Sequence, residues 1–255
     1  MSADYDKRYP PDRPGEEAND DARVWRVYRD RAADADEDII GGWHKTLDVL
    51  LIFAGLFSAV STAALTSYID RQKQLEADSV KYLTTALLAV LRNQPITGDI
   101  FSPTKYKSPL TARWVTALWL VSLVIALIVA LLAILVKQWL GEYSSRMRAP
   151  AASHRHWATR HITLHSGLDR WKLDAFISGL PVALHLSLFL FLAGLVMFFW
   201  SLSLTMAVCT LAMTSSVLAF YIATLIAPLI SADCPTQTPL LDQSKTVFDI
   251  VMRKL

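Results

Sequence analysis

The chain is 255 residues long, 53% of them hydrophobic and only 19% charged, which sets it apart from an ordinary soluble domain. A formal net charge of +2 with both signs interspersed gives no basic face for nucleic acid. Two cysteines, Cys209 and Cys234, supply neither a disulfide framework nor ligand-like spacing.

Residues 1–22 combine Pro, Gly and charge with almost no large aliphatic side chain, so a disordered tail is expected there. Nothing in this polar, acid-rich start resembles a cleaved signal, and insertion is assigned to the first spanning helix. From Val24 to Asp38 the residues suit a helix lying on the membrane surface, with Trp25 and Tyr28 on one face. Gly41-Gly42 is expected to break it ahead of Trp43, placed at the headgroup level.

Four spans follow, at about 47–68, 114–136, 180–200 and 205–230. The first carries Asp48 and the hydroxyls Ser58, Ser61, Thr62, Thr66 and Ser67, with a small-residue stripe at Gly55, Ala59 and Ala63 for close helix approach. Residues 70–113 connect it to the second and hold an amphipathic stretch, Val80, Leu83, Leu87 and Val90/Leu91, capped by Asp78 and stopped by Asn93 and Pro95. In the second span, 15 of 23 residues are Leu, Ile or Val and none is charged; at about −0.3 to −0.6 kcal/mol each these favour insertion by several kcal/mol. Lys137, Trp139 and Tyr143 then stand as interface anchors, together with Trp43. Between Asp174 and Asp233 lie 58 residues without an Asp, Glu, Lys or Arg. One helix of that length overshoots any bilayer, so the stretch divides at 201–204 into two spans. Ser215, Ala219, Ala223 and Ala227 make a second small-residue stripe.

The expected architecture is an all-α integral membrane protein, four transmembrane helices with short juxtamembrane amphipathic helices. Its domains are a tail at 1–22, a four-span membrane domain at 23–241, and a C-terminal tail at 242–255 that hints at an amphipathic helix through Val247, Phe248, Val251 and Leu255. An even number of spans puts both termini on one side. Lysine and arginine barely discriminate, and a long charged N-terminal tail without a signal favours the cytoplasmic side. No internal repeat supports inverted-repeat transporter architecture.

The stretch Trp25-x2-Tyr28-x3-Ala32-x3-Asp36, then Trp43-x3-Leu47-Asp48 and Leu50 to Ala63, resembles the opening of a domain of unknown function found in many basidiomycete fungal membrane proteins. Residues 118–123, 135–143 and 180–200, and the tail from Cys234-Pro235 to Leu240, resemble its later blocks, so the likeness covers roughly 23–241. The resemblance implies a multi-pass fungal membrane protein and carries no activity. The histidine-rich middle loop is not part of it.

That loop holds the chemistry-bearing residues. His154, His156, His161 and His165 fall in one run, and His161, His165 and Asp169 share a helix face at a spacing that can bring two imidazoles and a carboxylate to one metal. There is no His-Glu-x-x-His, and Arg155 and Arg160 add positive charge, so no metal, cofactor or catalytic residue is assigned. The acidic knot Asp34, Asp36, Glu37, Asp38 lacks calcium-loop spacing and reads as a solvated helix end. Ionisable groups at membrane depth mark proton and ion pathways, and only Asp48 and His185 come near the spans, each close to an end. The chain is therefore read as a non-enzymatic membrane scaffold or interaction module whose partners are the bilayer and a homo-oligomer or another protein. The alternatives are an oligomeric channel or carrier for a weakly polar or lipid-like solute, and a metal-dependent membrane enzyme using the histidine loop.

Overall fold

A computed structural model describes residues 2–92 and 109–230. Six helices occupy them: α1 (Ser2–Arg8), α2 (Arg23–Leu91), α3 (Pro109–Arg148), α4 (His154–Arg170), α5 (Leu173–Trp200) and α6 (Leu204–Ile230). The described residues contain no strand. α2, α3, α5 and α6 are each long and apolar enough to cross a membrane, and each contains one of the four expected spans. The fold is all-α and multi-pass. Asn93, Pro95, Cys234, the block ending at Leu240 and the expected 242–255 tail helix lie outside the described residues.

Several elements differ from expectation. α2 runs unbroken through Gly41-Gly42. Each glycine costs about 1 kcal/mol against alanine in a helix, too little to stop one apolar on its C-terminal side, and the Thr46 hydroxyl donates back to the Gly42 carbonyl at 3.1 Å. For the same reason the amphipathic stretch is no separate element: Asp78 caps nothing, and α2 continues to Leu91 with Val80, Leu83 and Leu87 exposed. The hairpin between α5 and α6 turns at 201–203, as the charge-free run requires. α5 begins before the expected span and carries Pro181 within it.

The helices gather into two compact units, one of Met1–Phe53 with Val129–Val182, the other of Ala54–Ile128 with the residues from Ala183. In the first, α3 buries Val129, Ala133, Val136, Leu140 and Tyr143, alternating steps of four and three that keep one face inward. Leu47 and Leu50 of α2 and Leu173, Ile177 and Leu180 of α5 complete that core. Lys172 reverses the chain between α4 and α5 with a left-handed backbone, φ 48°.

The tail before α2 contacts this unit. Tyr9 and Ala22 are buried. The Asp12 carboxylate accepts from the Arg23 amide at 2.8 Å, and Asp21 accepts from the His154 amide at 3.1 Å. Two acidic residues of the tail thus sit on the N-termini of α2 and α4, whose first amides have no partner within the helix.

In the second unit Ala54, Phe57, Ser61 and Tyr68 of α2 are buried, as are Val115, Trp119, Ser122 and Ala126 of α3 and Leu184, Ser187 and Phe191 of α5. The Trp119 indole donates to the Phe191 carbonyl at 3.1 Å, over a gap that only glycine leaves: a Cβ on Gly194 would stand 2.5 Å from Trp119 Nε1. The Ser122 hydroxyl donates to the Ser187 carbonyl at 2.8 Å and the Ser187 hydroxyl donates to the Ser122 carbonyl at 2.7 Å, joining the two helices by reciprocal bonds. Phe57, Tyr68 and Phe198 surround Phe191 and Trp119 edge-on or tilted, at ring distances of 5.5–5.8 Å.

Candidate functional site

The polar residues of the first unit converge where α2 crosses α4. On α2, Tyr28 and Asp36 are two helical steps of four apart and so point the same way, with small Ala32 between them. On α4, Trp157, His161 and His165 repeat the same spacing and stack, with ring centroids 5.3 Å apart at each step. α4 is started by Ser153, whose hydroxyl accepts from the His156 amide at 3.1 Å. The Arg160 guanidinium donates to the carbonyls of Ala149, at 2.7 Å, and of Met147, tying α4 to the end of α3.

Asp36 is the hub. Its Oδ2 accepts from the Tyr143 hydroxyl at 2.7 Å and lies 3.2 Å from His161 Nε2, while Oδ1 lies 3.6 Å from His165 Nδ1. His161 Nδ1 shares a 2.9 Å hydrogen bond with the Tyr28 hydroxyl. Side chains of His161 and Asp36 are 7% and 14% exposed and that of His165 40%, so His165 is the member most open to solvent. Nε2 of His161 and Nδ1 of His165 are buried without a hydrogen-bond partner. At the start of α4, Asp20 pairs with Arg155 and Asp21 with His154, and the two hydrogen bonds from His154, the amide first, hold the Asp21 carboxyl below the usual carboxylate range.

The profile of a family of unknown function, DUF6535, matches residues 25–201, well over half of the sequence. The chain belongs to the DUF6535 family. The match begins at Trp25 and takes in Tyr28, Asp36, Tyr143 and α4, so the whole hub lies inside the DUF6535 region. Residues 202–241, which the sequence likeness also took in, lie beyond it. No curated protein and no solved structure matches the chain.

Within this DUF6535 chain the residues singled out from sequence fall as follows. His161 and His165 come together, but Asp169 stands exposed one turn on and takes no part; the carboxylate that meets the two rings is Asp36. Asp36 therefore leaves the acidic knot, whose other members Asp34, Glu37 and Asp38 remain exposed. Tyr28 faces α4, where its hydroxyl meets His161. Tyr143, expected as an interface anchor, is buried at 7% because its hydroxyl serves Asp36. Lys137 forms an ion pair with Asp48. Trp139 is exposed beside an apolar groove of about 570 Å³ that Trp171 and Phe176 also line, and Trp43 is half-buried. Gly55, Ala59 and Ala63 are exposed, as are Ser215, Ala219 and Ala223, with Ala227 half-buried; a Cβ on Gly55 would meet nothing within 4 Å. The face that α2 buries is the neighbouring one, through Ala54, Phe57 and Ser61. His185 lies within α5 against the Tyr221 ring, 5.0 Å away.

Sequence reasoning missed Asp36 as the partner of the histidines and Tyr143 as the donor to Asp36. The shared face of Tyr28 and Asp36 is a legible signal, since it repeats the i, i+4 periodicity of the histidines on a second helix.

Proposed function

We propose that this DUF6535 chain is a non-enzymatic membrane scaffold, an assembly module whose apolar helices meet lipid and copies of the chain or another protein. One observation carries the reading: among the described residues, the polar segments at 2–46 and 144–172 pack around a largely buried Asp36–His161–Tyr143 hub. A packed polar head of this kind suits a platform. Two features support association. The small-residue stripes at Gly55, Ala59, Ala63 and at Ser215, Ala219, Ala223 face outward, where a second chain can approach closely. The apolar face at Val80, Leu83 and Leu87 is likewise uncovered. Both termini are assigned to the cytoplasmic side, which cysteine-accessibility labelling of the tail tests directly.

The test of assembly is native mass spectrometry of the chain in lipid nanodiscs, paired with crosslinking in intact membranes. A defined oligomer, or a partner retained in fixed ratio, is the expected result. A monomer in both measurements refutes the proposal.

A channel or carrier for a weakly polar or lipid-like solute is the second reading. It draws on Ser58 and Ser61, whose hydroxyl oxygens are buried without a hydrogen-bond partner. Solute flux into proteoliposomes that Ser61→Val abolishes favours it, and absence of flux for every solute tried removes it.

A further inference from the structure

We infer that Asp36, His161 and His165 bind one divalent first-row transition-metal ion of the zinc type, which ties α2 to α4. Each residue contributes one donor atom to a common point, and these atoms lie within 4.8 Å of one another. Ligand atoms around a tetrahedral ion with bonds of about 2.0–2.1 Å stand about 3.3 Å apart. Asp36 stands 3.2 Å from His161 Nε2 through Oδ2 and 3.6 Å from His165 Nδ1 through Oδ1, so its two oxygens lie near that spacing, one from each imidazole.

The second observation is independent of spacing. Nε2 of His161 belongs to a side chain more than nine-tenths buried and stands 3.2 Å from Asp36 Oδ2, within ion-pair distance but without the geometry of a hydrogen bond. A nitrogen so placed needs a partner, because burial has already removed its water. Its other ring nitrogen is engaged by the Tyr28 hydroxyl at 2.9 Å; with Nδ1–H donating to that oxygen, the Nε2 lone pair points at Asp36. Metal-bound imidazoles are oriented in this way by a second partner, and Tyr143 orients the carboxylate likewise. Two imidazoles and one carboxylate suit zinc, whereas calcium and magnesium take oxygen ligands.

The arginines that argue against a cation from sequence are both occupied elsewhere, Arg155 by Asp20 and Arg160 by the carbonyls at the end of α3. Three protein ligands leave a fourth position for water on the open side of His165. The inference holds whether the chain assembles or not, since every ligand is on one chain.

The test uses the full chain without a histidine tag, stripped with chelator in detergent and titrated with zinc ion alone. Expected are one zinc per chain, a melting temperature that rises with zinc and falls back with chelator, and affinity at least tenfold weaker in His165→Gln and in the near-isosteric Asp36→Asn. Asp169→Asn binds as the natural chain does. The inference is overturned if no stoichiometric zinc binds, if His165→Gln and Asp36→Asn bind unchanged, or if binding is lost only in a His154→Gln/His156→Gln double variant. Cobalt substitution adds a readout that stability alone does not move: strong tetrahedral ligand-field bands are expected, and a weak octahedral spectrum counts against the site.

Discussion

Gly194→Ala tests the packing of the second unit at its tightest point. The new methyl would lie 2.5 Å from Trp119 Nε1, 2.6 Å from Trp119 Cδ1 and 3.4 Å from Leu118 Cβ. Trp119 is 2% exposed and wedged among Tyr68, Phe191 and Phe198, so the indole cannot yield without opening those ring contacts. Overpacking of this kind costs about 1–3 kcal/mol, and pulling Nε1 off the Phe191 carbonyl adds about 1 kcal/mol. Alanine returns about 1 kcal/mol in helix propensity, leaving a net loss of roughly 1–3 kcal/mol. Gly141→Ala in α3 is the internal control, because its Cβ meets nothing within 4 Å and it collects the propensity gain alone. Thermal unfolding of both variants in one detergent, followed by near-UV circular dichroism, cancels that gain and isolates the clash. Trp119→Phe made in the Gly194→Ala background should recover part of the loss. Equal melting temperatures for the two glycine variants would refute the account of how Trp119 is seated.

Tyr143→Phe removes the hydroxyl that serves Asp36 and should cost about 1–3 kcal/mol in detergent unfolding, the penalty of a buried acceptor left short of a donor; an unchanged midpoint contradicts the hub. Lys172→Gly relieves a left-handed residue that costs about 1–2 kcal/mol, offset by about 0.5–1 kcal/mol of glycine flexibility, so a neutral to slightly raised melting temperature is expected and a marked fall is not. The tail should detach with acid. Asp21 is held below the ordinary carboxylate pKa, so its contribution is complete above that value and fades as pH falls through the lowered one. Protection of residues 9–22 from hydrogen exchange should therefore persist at neutral pH and drop only in strong acid, and Asp21→Asn should abolish the step; a loss near neutral pH would assign the tail's attachment to another group.

The four crossings are legible in the sequence because hydrocarbon tolerates so little: a charge-free run twice the length of a span has to turn, and a helix two-thirds Leu, Ile and Val has one plausible solvent. The continuity of α2 is not, since Gly41-Gly42 weakens a helix locally whereas its persistence depends on what lies on either side. Small residues mark where another helix is able to come near, which is a different question from where one does within the chain; Phe57 and Tyr68 fill the contact on α2 while Gly55 and Ala59 stay outside. The hub is half legible. The i, i+4 histidines announce a shared face, but their carboxylate stands on another helix, and periodicity offers Asp169, the acid nearest in sequence, in its place. Tyr143 misleads for a related reason: an aromatic after a span reads as an interfacial ring until the acid that claims its hydroxyl is known.

The reciprocal serines carry a mechanical consequence. Sliding α3 along α5 by one residue, about 1.5 Å, strains both Ser122–Ser187 bonds together, and no neighbouring turn carries a second hydroxyl with which to rebuild the reciprocal pair: the adjacent positions are Leu118, Trp119, Ile125 and Ala126 on one helix and Ala183, Leu184, Leu190 and Phe191 on the other. The pair behaves as a pin through two rods, resisting shear while leaving rotation about the pin comparatively free. Motions of α3 against α5 should accordingly pivot at the level of these two hydroxyls rather than ratchet past it.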